Sequence, residues 1–409
     1  MNISQKSELM EYICAKISRV DIFVCSGLVV LYTILISHYF VPDLLNLQDV
    51  WFDSDVHRIM SGMLDRESIA HYRSAVHPIF SLVSSLVPLG LTYFLGLTDI
   101  AAMKLVVICV AALWAVSLYV LLKLMGCQIL DAVIFSLIAS SSSSTIFWLT
   151  IPESYSYGSI TIIFALILAV LTDSVFLSSS YYIFINVITF GITVTNLMFG
   201  IAVTIVNHSL KRTAKILFSG LIIVFVVTLF QKLIFTKAPI LTFISMRGEN
   251  KYTVIPSIAR AISASFSFWS HTMIMPDITL APYLGIEPVL SLSVQNSIPP
   301  INSLWGSVAT LSWSSLLILG IFSAFRLKTH YKLRLVLGMG LIGQYVLHLI
   351  YGTETFLYSL HFFPLLLTLA ALSTLTSYRW LALSLGSVFL VSAAIHNNAM
   401  FERAVTLIQ

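Results

Sequence analysis

The chain is built from long apolar runs with few charges, and these runs decide its class of fold. Of its 409 residues, 58% are hydrophobic and only 10% are charged, whereas soluble globular domains carry roughly 25% charged residues. A helix needs about 20 apolar residues to cross a bilayer. The runs therefore predict an all-α polytopic membrane protein of about eleven transmembrane helices. The candidate spans are 21–41, 77–97, 101–124, 129–149, 157–173, 180–207, 215–235, 303–325, 334–352, 357–376 and 379–397.

The spans predict one transmembrane domain over residues 1–409, interrupted by two polar stretches that are too long to be turns. These are the first loop, 42–76, and a longer segment, 236–302. The first apolar run shows no small-residue cleavage site, and we expect it to remain as a signal anchor. Four scattered cysteines indicate neither a disulfide framework nor a metal cluster. Within one span, the five serines 140–144 favour close helix packing.

Clusters of lysine and arginine in short loops predict the orientation, because such loops are retained in the cytoplasm. The N-terminus then lies inside, and 42–76 and 236–302 both face outward. The net charge of +4 reflects these loops and gives no reason to expect a nucleic-acid partner. The clusters are Lys6, Lys16 and Arg19; Lys211, Arg212 and Lys215; and Arg326, Lys328, Lys332 and Arg334.

Two chain paths satisfy this orientation, and composition does not choose between them. If every span crosses fully, the loop "IPESYSYG" (151–158) faces the cytoplasm. If 77–97 dips in and returns, and 180–207 breaks near Thr195–Asn196, the same loop faces outward. Both paths keep the basic loops inside.

The stretch "FDSDVHRIMSGMLDRESIAHYRSAVHP" (52–78) concentrates charge in a chain that otherwise has little. From Asp55 onward its apolar residues repeat at helical spacing, which predicts a short amphipathic helix lying at the membrane surface. Asp53 or Ser54 is a plausible N-cap. The apolar positions are Val56, Ile59, Met60, Met63 and Leu64.

Asp53 and Asp55 have three interpretations. They serve as helix caps, they hold a divalent cation, or one of them is a general base that takes a proton from an acceptor hydroxyl. The neighbouring arginines favour the last, since Arg58, Arg66 and Arg73 have the fork geometry that suits phosphate oxygens. Adhesion to anionic lipid headgroups is the alternative explanation for these cations.

Further donors follow the helix. His71, Tyr72 and His77 lie close to the arginines in sequence, and Pro78 is expected in the first turn of the next helix. His77 would then stand at a helix N-terminus, where the helix dipole favours anions. A phosphate held between Arg73, His77 and that helix end is the resulting hypothesis.

Three other regions contain candidate residues. Glu153, in "PES", is either a solvated loop residue or, if its loop faces outward, a site residue. "YGTETFLYSLHFFP" (351–364) spaces Glu354, Tyr358 and His361 by about one helical turn, which indicates either a site at membrane depth or helix packing. Segment 236–302 mixes aromatic residues with cations, as suits a lid or a sugar acceptor platform; its notable residues are Arg247, Lys251, Arg260, Trp269, His271 and Asp277.

These motifs, in this order, resemble integral-membrane glycosyltransferases of the type C fold (GT-C). The local patterns "FDSDVHRIMSGMLDR…HYRSAVHP", "PES" and "GTETFLYSLHF" are most similar to bacterial and phage enzymes that glucosylate O-antigen lipopolysaccharide. The resemblance implies an inverting hexosyltransferase of the bacterial inner membrane. Its donor would be a sugar on a polyprenyl phosphate, its acceptor a lipopolysaccharide glycan, and its active site would face the periplasm.

The resemblance also implies roles for individual residues. Asp53 or Asp55 matches the first-loop acid that activates the acceptor, and Glu153 matches the second acid. Arg58, Arg73 and His77 would stabilise the departing phosphate, so no metal cofactor is expected. The rival hypotheses are a transporter or flippase, an O-antigen polymerase or ligase, and a structural membrane subunit.

Overall fold

The computed structural model describes residues 3–47, 49–240, 252–282 and 290–409. Arg247 and Lys251, which we selected from the sequence, lie outside the described residues. The described chain is a bundle of α-helices with one two-stranded antiparallel sheet. Eight of the described helices are long and apolar enough to cross a membrane. These findings agree with an all-α polytopic membrane protein.

The helices of the first half are α1 (Ile3–Lys16), α2 (Arg19–Tyr39), α3 (Val56–Leu64), α4 (Phe80–Leu95), α5 (Asp99–Leu124), α6 (Ile129–Ser141), α7 (Ser143–Trp148), α8 (Ser154–Thr172), α9 (Ser179–Ile192) and α10 (Leu197–Asn207). Those of the second half are α11 (Leu210–Ile234), α12 (Ile258–Phe266), α13 (Leu304–Arg326), α14 (Tyr331–Ile350), α15 (Ser359–Ala371) and α16 (Arg379–Ile408). Strands β1 (Thr279–Pro282) and β2 (Leu290–Ser293) form the sheet.

Polar contacts between helix ends define one end of the bundle, which we call the basic end. Lys123 at the end of α5 pairs with Asp21 at the start of α2, with 3.4 Å between Nζ and Oδ1. Arg379 at the start of α16 pairs with Asp131 at the start of α6, at 2.7 Å. The backbone N–H of Lys332 donates to Asp173 after α8. The opposite end, which contains the first loop, is called the site end.

Helix α4 does not cross the bundle. Helix α5 ends at the basic end, and its 26 residues are about 39 Å long, so Asp99 lies at the site end. Helix α4 starts directly after the first loop and is joined to Asp99 by a three-residue connection. Both ends of α4 therefore lie towards the site end, but α4 is one continuous helix, so it does not turn back on itself as the sequence predicted for 77–97.

Helices α9 and α10 together run from the basic end to the site end and back. Ser179, at the start of α9, accepts hydrogen bonds from Arg212 of α11, so both helix starts lie at the basic end. Between α9 and α10 the helix breaks at Thr193–Asn196, and the backbone N–H of Val194 donates to Val76 O at the site end. The break near Thr195–Asn196 matches the second of the two paths that composition allowed.

The serine run is buried, but it does more than allow close packing. The chain breaks at Ser142, whose hydroxyl accepts from Thr145 N and begins α7. The hydroxyl and backbone N–H of Ser144 donate to Thr272 O. A hydroxyl-rich break therefore satisfies backbone groups of another segment deep in the bundle, which a regular helix would leave unpaired.

The long polar segment enters the bundle instead of lying wholly on its surface. After α12, a π-helical turn, Ser267–His271, carries Phe268 and Met273 into fully buried positions. Trp313 of α13 anchors the turn by donating its indole N–H to Trp269 O at 2.8 Å. Sheet β1–β2 follows, and Leu292 N donates to Val50 O, which ties the sheet to the first loop.

Candidate functional site

The first loop places its acids through an unusual backbone. Asp49, Phe52 and Asp53 have positive φ angles of 59°, 50° and 62°, a conformation that non-glycine residues rarely adopt. Trp51 and Phe52 are almost completely buried, and the Trp51 indole donates to Phe147 O at 3.2 Å. Two buried aromatic anchors thus hold the strained turn, and backbone strain of this kind clusters at functional sites.

Asp53 is fixed from two distant parts of the chain. Its backbone N–H donates to the Ser291 hydroxyl of β2 at 3.1 Å. Its Oδ2 accepts from the Thr353 hydroxyl, in the connection between α14 and α15, at 2.9 Å. Neither Ser291 nor Thr353 could be identified from sequence patterns, because both are small polar residues far from the first loop.

Asp55 occupies the N-cap position of α3, one or two residues beyond the caps that the sequence suggested. Its side chain makes no capping hydrogen bond and forms an ion pair with Arg58 instead. Arg58 also donates to the Tyr72 hydroxyl at 3.2 Å, with its guanidinium 5.8 Å from the centre of that ring. The amphipathic stripe is confirmed, since Val56, Ile59 and Met63 are buried.

Glu153 meets the first loop, which answers the question that the sequence left open. Its Oε1 accepts from the backbone N–H of Asp55 at 2.9 Å, and its Oε2 accepts from Ser154 N at 2.8 Å. The carboxyl group is only 2% exposed. Burial raises the pKa of Glu153 to about 7, although the hydrogen bonds from Ser154 and the charges of Arg58 and Arg73 oppose the shift. A carboxyl group that titrates near neutrality is suited to proton transfer.

Arg73 lies among the acids and histidines of this end. Its positive charge lowers the pKa of both Glu153 and His77. Arg66, by contrast, is 58% exposed and donates to Ile234 O at the end of α11. Of the three arginines selected from the sequence, Arg58 and Arg73 therefore share the site, and Arg66 lies outside it.

The two histidines of the loop are committed to protein partners. His77 Nδ1 donates to Ile192 O at 2.8 Å, and burial, with Arg73, lowers its pKa to about 3. His71 bonds Asp65 O through Nε2 and the Ser81 hydroxyl through Nδ1, and its pKa is lowered by burial. Burial therefore disfavours the charged form of both rings, and their assignment as phosphate-binding residues stays a prediction.

His77 also differs in its position along the helix. Helix α4 begins at Phe80, so His77 and Pro78 precede the helix and Pro78 is not in its first turn. The backbone N–H of Ile79 donates to Gly191 O, at the end of α9. The segment 76–79 therefore serves mainly to join the first loop to the break between α9 and α10.

Glu354 joins loops at the same end of the bundle. Its carboxylate accepts from Ser293 Oγ at 2.7 Å, from Val294 N at 3.1 Å and from Phe356 N. Burial raises its pKa to about 7, against the opposing effect of these bonds. The contacts give Glu354 a positioning role, since it fixes β2 next to Thr353 and hence next to Asp53.

Arg260 of α12 holds the connection between α14 and α15 in place. Its guanidinium donates to the carbonyl oxygens of His348, Gly352 and Thr353, at 2.9, 2.6 and 3.2 Å. Arg260 was only one cation among several in the sequence of the long segment. Its partners are backbone carbonyls, which no residue pattern reveals.

Tyr358 and His361 lie beside the acids. The Tyr155 and Tyr358 rings meet edge to face at 5.5 Å, and the His361 ring lies 5.5 Å from Tyr155. Tyr358 also stacks on His348 at 4.6 Å. Both tyrosines are partly exposed, whereas His361 is buried. These rings thus form an aromatic cluster next to Glu153 and Asp53.

Two openings flank α3 and share Met63. One is a cleft with about 20 Å³ of free space, here called the polar cleft because its lining includes Arg58, Arg73, Ser74 and Ser81. The other is a mainly apolar groove with about 10 Å³ of free space, lined by Val106 and Val110 of α5 and by Glu153. Two arginines therefore border one opening, and a carboxyl group among apolar side chains borders the other.

Comparisons with known proteins name no relative. No protein-family model matches the chain, and no curated protein or solved structure is significantly similar to it. Within the described ranges, no three His, Cys, Asp or Glu residues form a group arranged to hold a metal ion. The functional argument therefore depends on the geometry of the site end.

Proposed function

We propose that the protein is a glycosyltransferase that takes a sugar from a polyprenyl-phosphate donor and transfers it to a glycan hydroxyl. One observation carries the proposal: Asp55 and Glu153, from separate parts of the chain, meet beside Arg58 and Arg73, between a polar cleft and an apolar groove. Acid, cation and apolar surface together suit a lipid phosphate that carries a sugar.

In this reaction the acceptor oxygen attacks the anomeric carbon of the sugar. The new C–O bond forms as the bond from that carbon to the phosphate oxygen breaks, which inverts the anomeric configuration. The acceptor proton passes to a carboxylate, and the lipid phosphate leaves with one additional negative charge. Fixed cations aimed at developing charge are often the largest catalytic contribution, and Arg58 and Arg73 would supply it.

Asp53 is assigned the role of base. The Asp55 carboxylate is committed to Arg58, and the Glu153 oxygens accept from two backbone N–H groups. Asp53 is chosen because it stands on strained backbone, where its Oδ2 accepts from the Thr353 hydroxyl among its contacts. Glu153 then positions the start of α3 through the Asp55 N–H. With a pKa of about 7, its carboxyl group also takes up or releases a proton near neutral pH.

The lipid tail would lie in the apolar groove along Val106 and Val110, with the phosphate at the level of α3. The positive-inside rule places the basic end in the cytoplasm, so the site end would face the periplasm of a bacterial inner membrane. The resemblance noted in the sequence supplies the proposed acceptor, an O-antigen or similar lipopolysaccharide glycan, and glucose as the proposed sugar.

A transporter or flippase of lipid-linked sugars is the second candidate, because α9 and α10 form a broken helix pair, as transporters often do. The break carries Thr193 and Asn196 but no charged side chain. The two functions differ in product: a transferase releases free lipid phosphate, whereas a flippase moves the intact donor across the membrane.

The test incubates purified protein in nanodiscs with a panel of polyprenyl-phosphate hexoses and an O-antigen acceptor. The proposal expects release of free polyprenyl phosphate that depends on both substrates. Proteoliposomes with labelled donor measure translocation in parallel. Translocation of intact donor without release of lipid phosphate would reject the transferase and favour the flippase.

A further inference from the structure

A small polar junction lies behind Tyr155, where α8, α15 and the break between α9 and α10 meet. Gly158 of α8 stands at its centre: a Cβ on this glycine would overlap His361 Nε2 and would lie 3.2 Å from Asn196 Nδ2. Asn196 Nδ2 donates to Gly158 O at 3.1 Å. His361 and Asn196 therefore approach the same point of α8 from two different helices.

Each of these two side chains has an atom without a partner among the described residues. His361 Nε2 and Asn196 Oδ1 are buried and make no hydrogen bond, and their residues are 3% and 0% exposed. Buried polar groups without a partner are costly, and each calls for an explanation such as a bound water, ion or ligand. An irregular helix at such depth is tolerated where it borders a cavity or a ligand.

The junction adjoins the proposed transfer site. The Tyr155 ring lies 5.5 Å from the ring of the partly exposed Tyr358 and 5.5 Å from the ring of His361. Tyr155 interacts electrostatically with Glu153 and Arg73, and Tyr358 with Asp53 and Arg73. His361 therefore lies one aromatic neighbour away from the carboxylates and arginines of the site end.

The unpartnered polar atoms of the junction indicate which kind of ligand it would bind. An imidazole nitrogen and an amide oxygen can share a hydroxyl, which donates one hydrogen bond and accepts another. A phosphate finds no cation there, and an apolar chain would leave both polar atoms unpaired. Aromatic faces beside hydroxyl partners are also the usual surroundings of a sugar ring.

We infer that His361 and Asn196 form a hydroxyl-binding subsite for the transferred sugar, with Tyr155 and Tyr358 against the sugar ring. The inference rests on the proposed transferase function and adds a specificity determinant to it. One hydroxyl of the sugar hydrogen-bonds His361 Nε2 or Asn196 Oδ1 and decides which hexose is accepted.

The experiment compares polyprenyl-phosphate glucose with its monodeoxy analogues as donors. In the wild type, one analogue should lose about tenfold to a hundredfold in kcat/KM, because a site built for a hydroxyl strongly rejects its absence. His361→Leu should lower kcat/KM for the glucose donor. It should then use that one deoxy analogue as well as it uses glucose. The other analogues should keep the same ratio to glucose as in the wild type.

Two further variants keep the test decisive if His361→Leu folds poorly. Gly158→Ala places a methyl group against His361 Nε2 and should reduce the same discrimination. His361→Gln retains a hydrogen-bonding group and should restore part of it. His38→Leu, an exposed histidine at the end of α2, serves as the control with unchanged ratios.

The outcomes separate this inference from the proposed function. If the wild type releases lipid phosphate but His361→Leu and Gly158→Ala both keep the full discrimination, the subsite is wrong and the transferase stands. The junction would then hold structural water only. If the wild type releases no lipid phosphate from any donor, the transferase proposal and this inference both fail.

Discussion

The two ends of the bundle both bury charge, but they do so differently. At the basic end each buried acid has its own cation, as in Asp131 with Arg379 and Asp21 with Lys123. At the site end, Asp55 and Glu153 meet beside two arginines on a strained turn. Paired charges between helix ends explain packing, whereas acids gathered beside a cleft require another explanation. A buried charge therefore indicates function when it borders a cleft, and indicates packing when it pairs with a charge on a neighbouring helix.

The largest expected effect comes from Asp53→Asn at the site end. Removal of a general base costs about 10²- to 10⁴-fold in turnover. Turnover should fall far more than the thermal midpoint, since an amide can still accept from Thr353. Asp99→Asn, an exposed acid at the same end, is the control. Wild-type turnover in folded Asp53→Asn protein would remove the base assignment.

The corresponding substitution at the basic end should lower stability and leave turnover unchanged. Asp131→Asn leaves Arg379 without its carboxylate, and breaking a buried pair costs roughly 3–5 kcal/mol of stability. Turnover per folded molecule should stay at the wild-type value. Thermal unfolding and active-site-normalised kinetics measure the two quantities. A loss of turnover without a loss of stability would contradict the division between the two ends.

Arg73→Ala tests which arginines of the first loop bind the donor phosphate. A charge-assisted hydrogen bond to phosphate contributes about 1.5–3 kcal/mol, so donor binding should weaken roughly tenfold to a hundredfold while acceptor binding changes little. Arg66→Ala is the matched control, because Arg66 is exposed and bonds a backbone carbonyl. Equal weakening of donor and acceptor would exclude Arg73 from the phosphate site.

A smaller effect should appear in the pH dependence of stability. Glu153 has a folded-state pKa of about 7, above its ordinary value of 4.5, so between these values the folded state binds the additional proton. Its stabilising contribution is therefore complete below about pH 4.5 and is lost as the pH rises towards 7. Glu354 acts in the same direction.

Thermal midpoints measured from pH 4.5 to 8 test this assignment. Glu153→Gln should remove part of the decline and leave the part that belongs to Glu354. An unchanged pH profile in Glu153→Gln would mean that Glu153 does not titrate in this range.

The smallest effect should follow from metal removal. Since Arg58 and Arg73 supply positive charge at the phosphate, chelators should leave the rate of sugar transfer unchanged. The assay adds EDTA to the transfer reaction, with excess magnesium as the recovery step. Complete loss of transfer that magnesium restores would revive the divalent-cation interpretation of Asp53 and Asp55.

Part of this architecture could be predicted from local patterns. The stripe from Val56 to Leu64 gave the surface helix, because helical spacing depends on neighbouring residues alone. Hydropathy could not decide the path of α4, since a helix that dips in has the same composition as one that crosses. The structure decides it through distant partners, such as Gly191 O for Ile79 N.

The site was predicted less completely, for a physical reason. The sequence grouped His71 and His77 with the arginines, but His71 Nε2 bonds Asp65 O and His77 Nδ1 bonds Ile192 O. Backbone carbonyls carry no residue signature, so such contacts cannot be read from composition. The meeting of Glu153 with Asp55 was open for the same reason, because the acceptor contacts a backbone N–H.

The central claim is that the site end binds a sugar-bearing lipid phosphate. The most direct measurement is a cryo-EM structure of the protein in nanodiscs with polyprenyl-phosphate glucose. The account predicts phosphate density between Arg58 and Arg73, with the lipid chain in the groove beside Val106. Well-ordered donor at another place, with Arg58 and Arg73 facing only solvent, would contradict it.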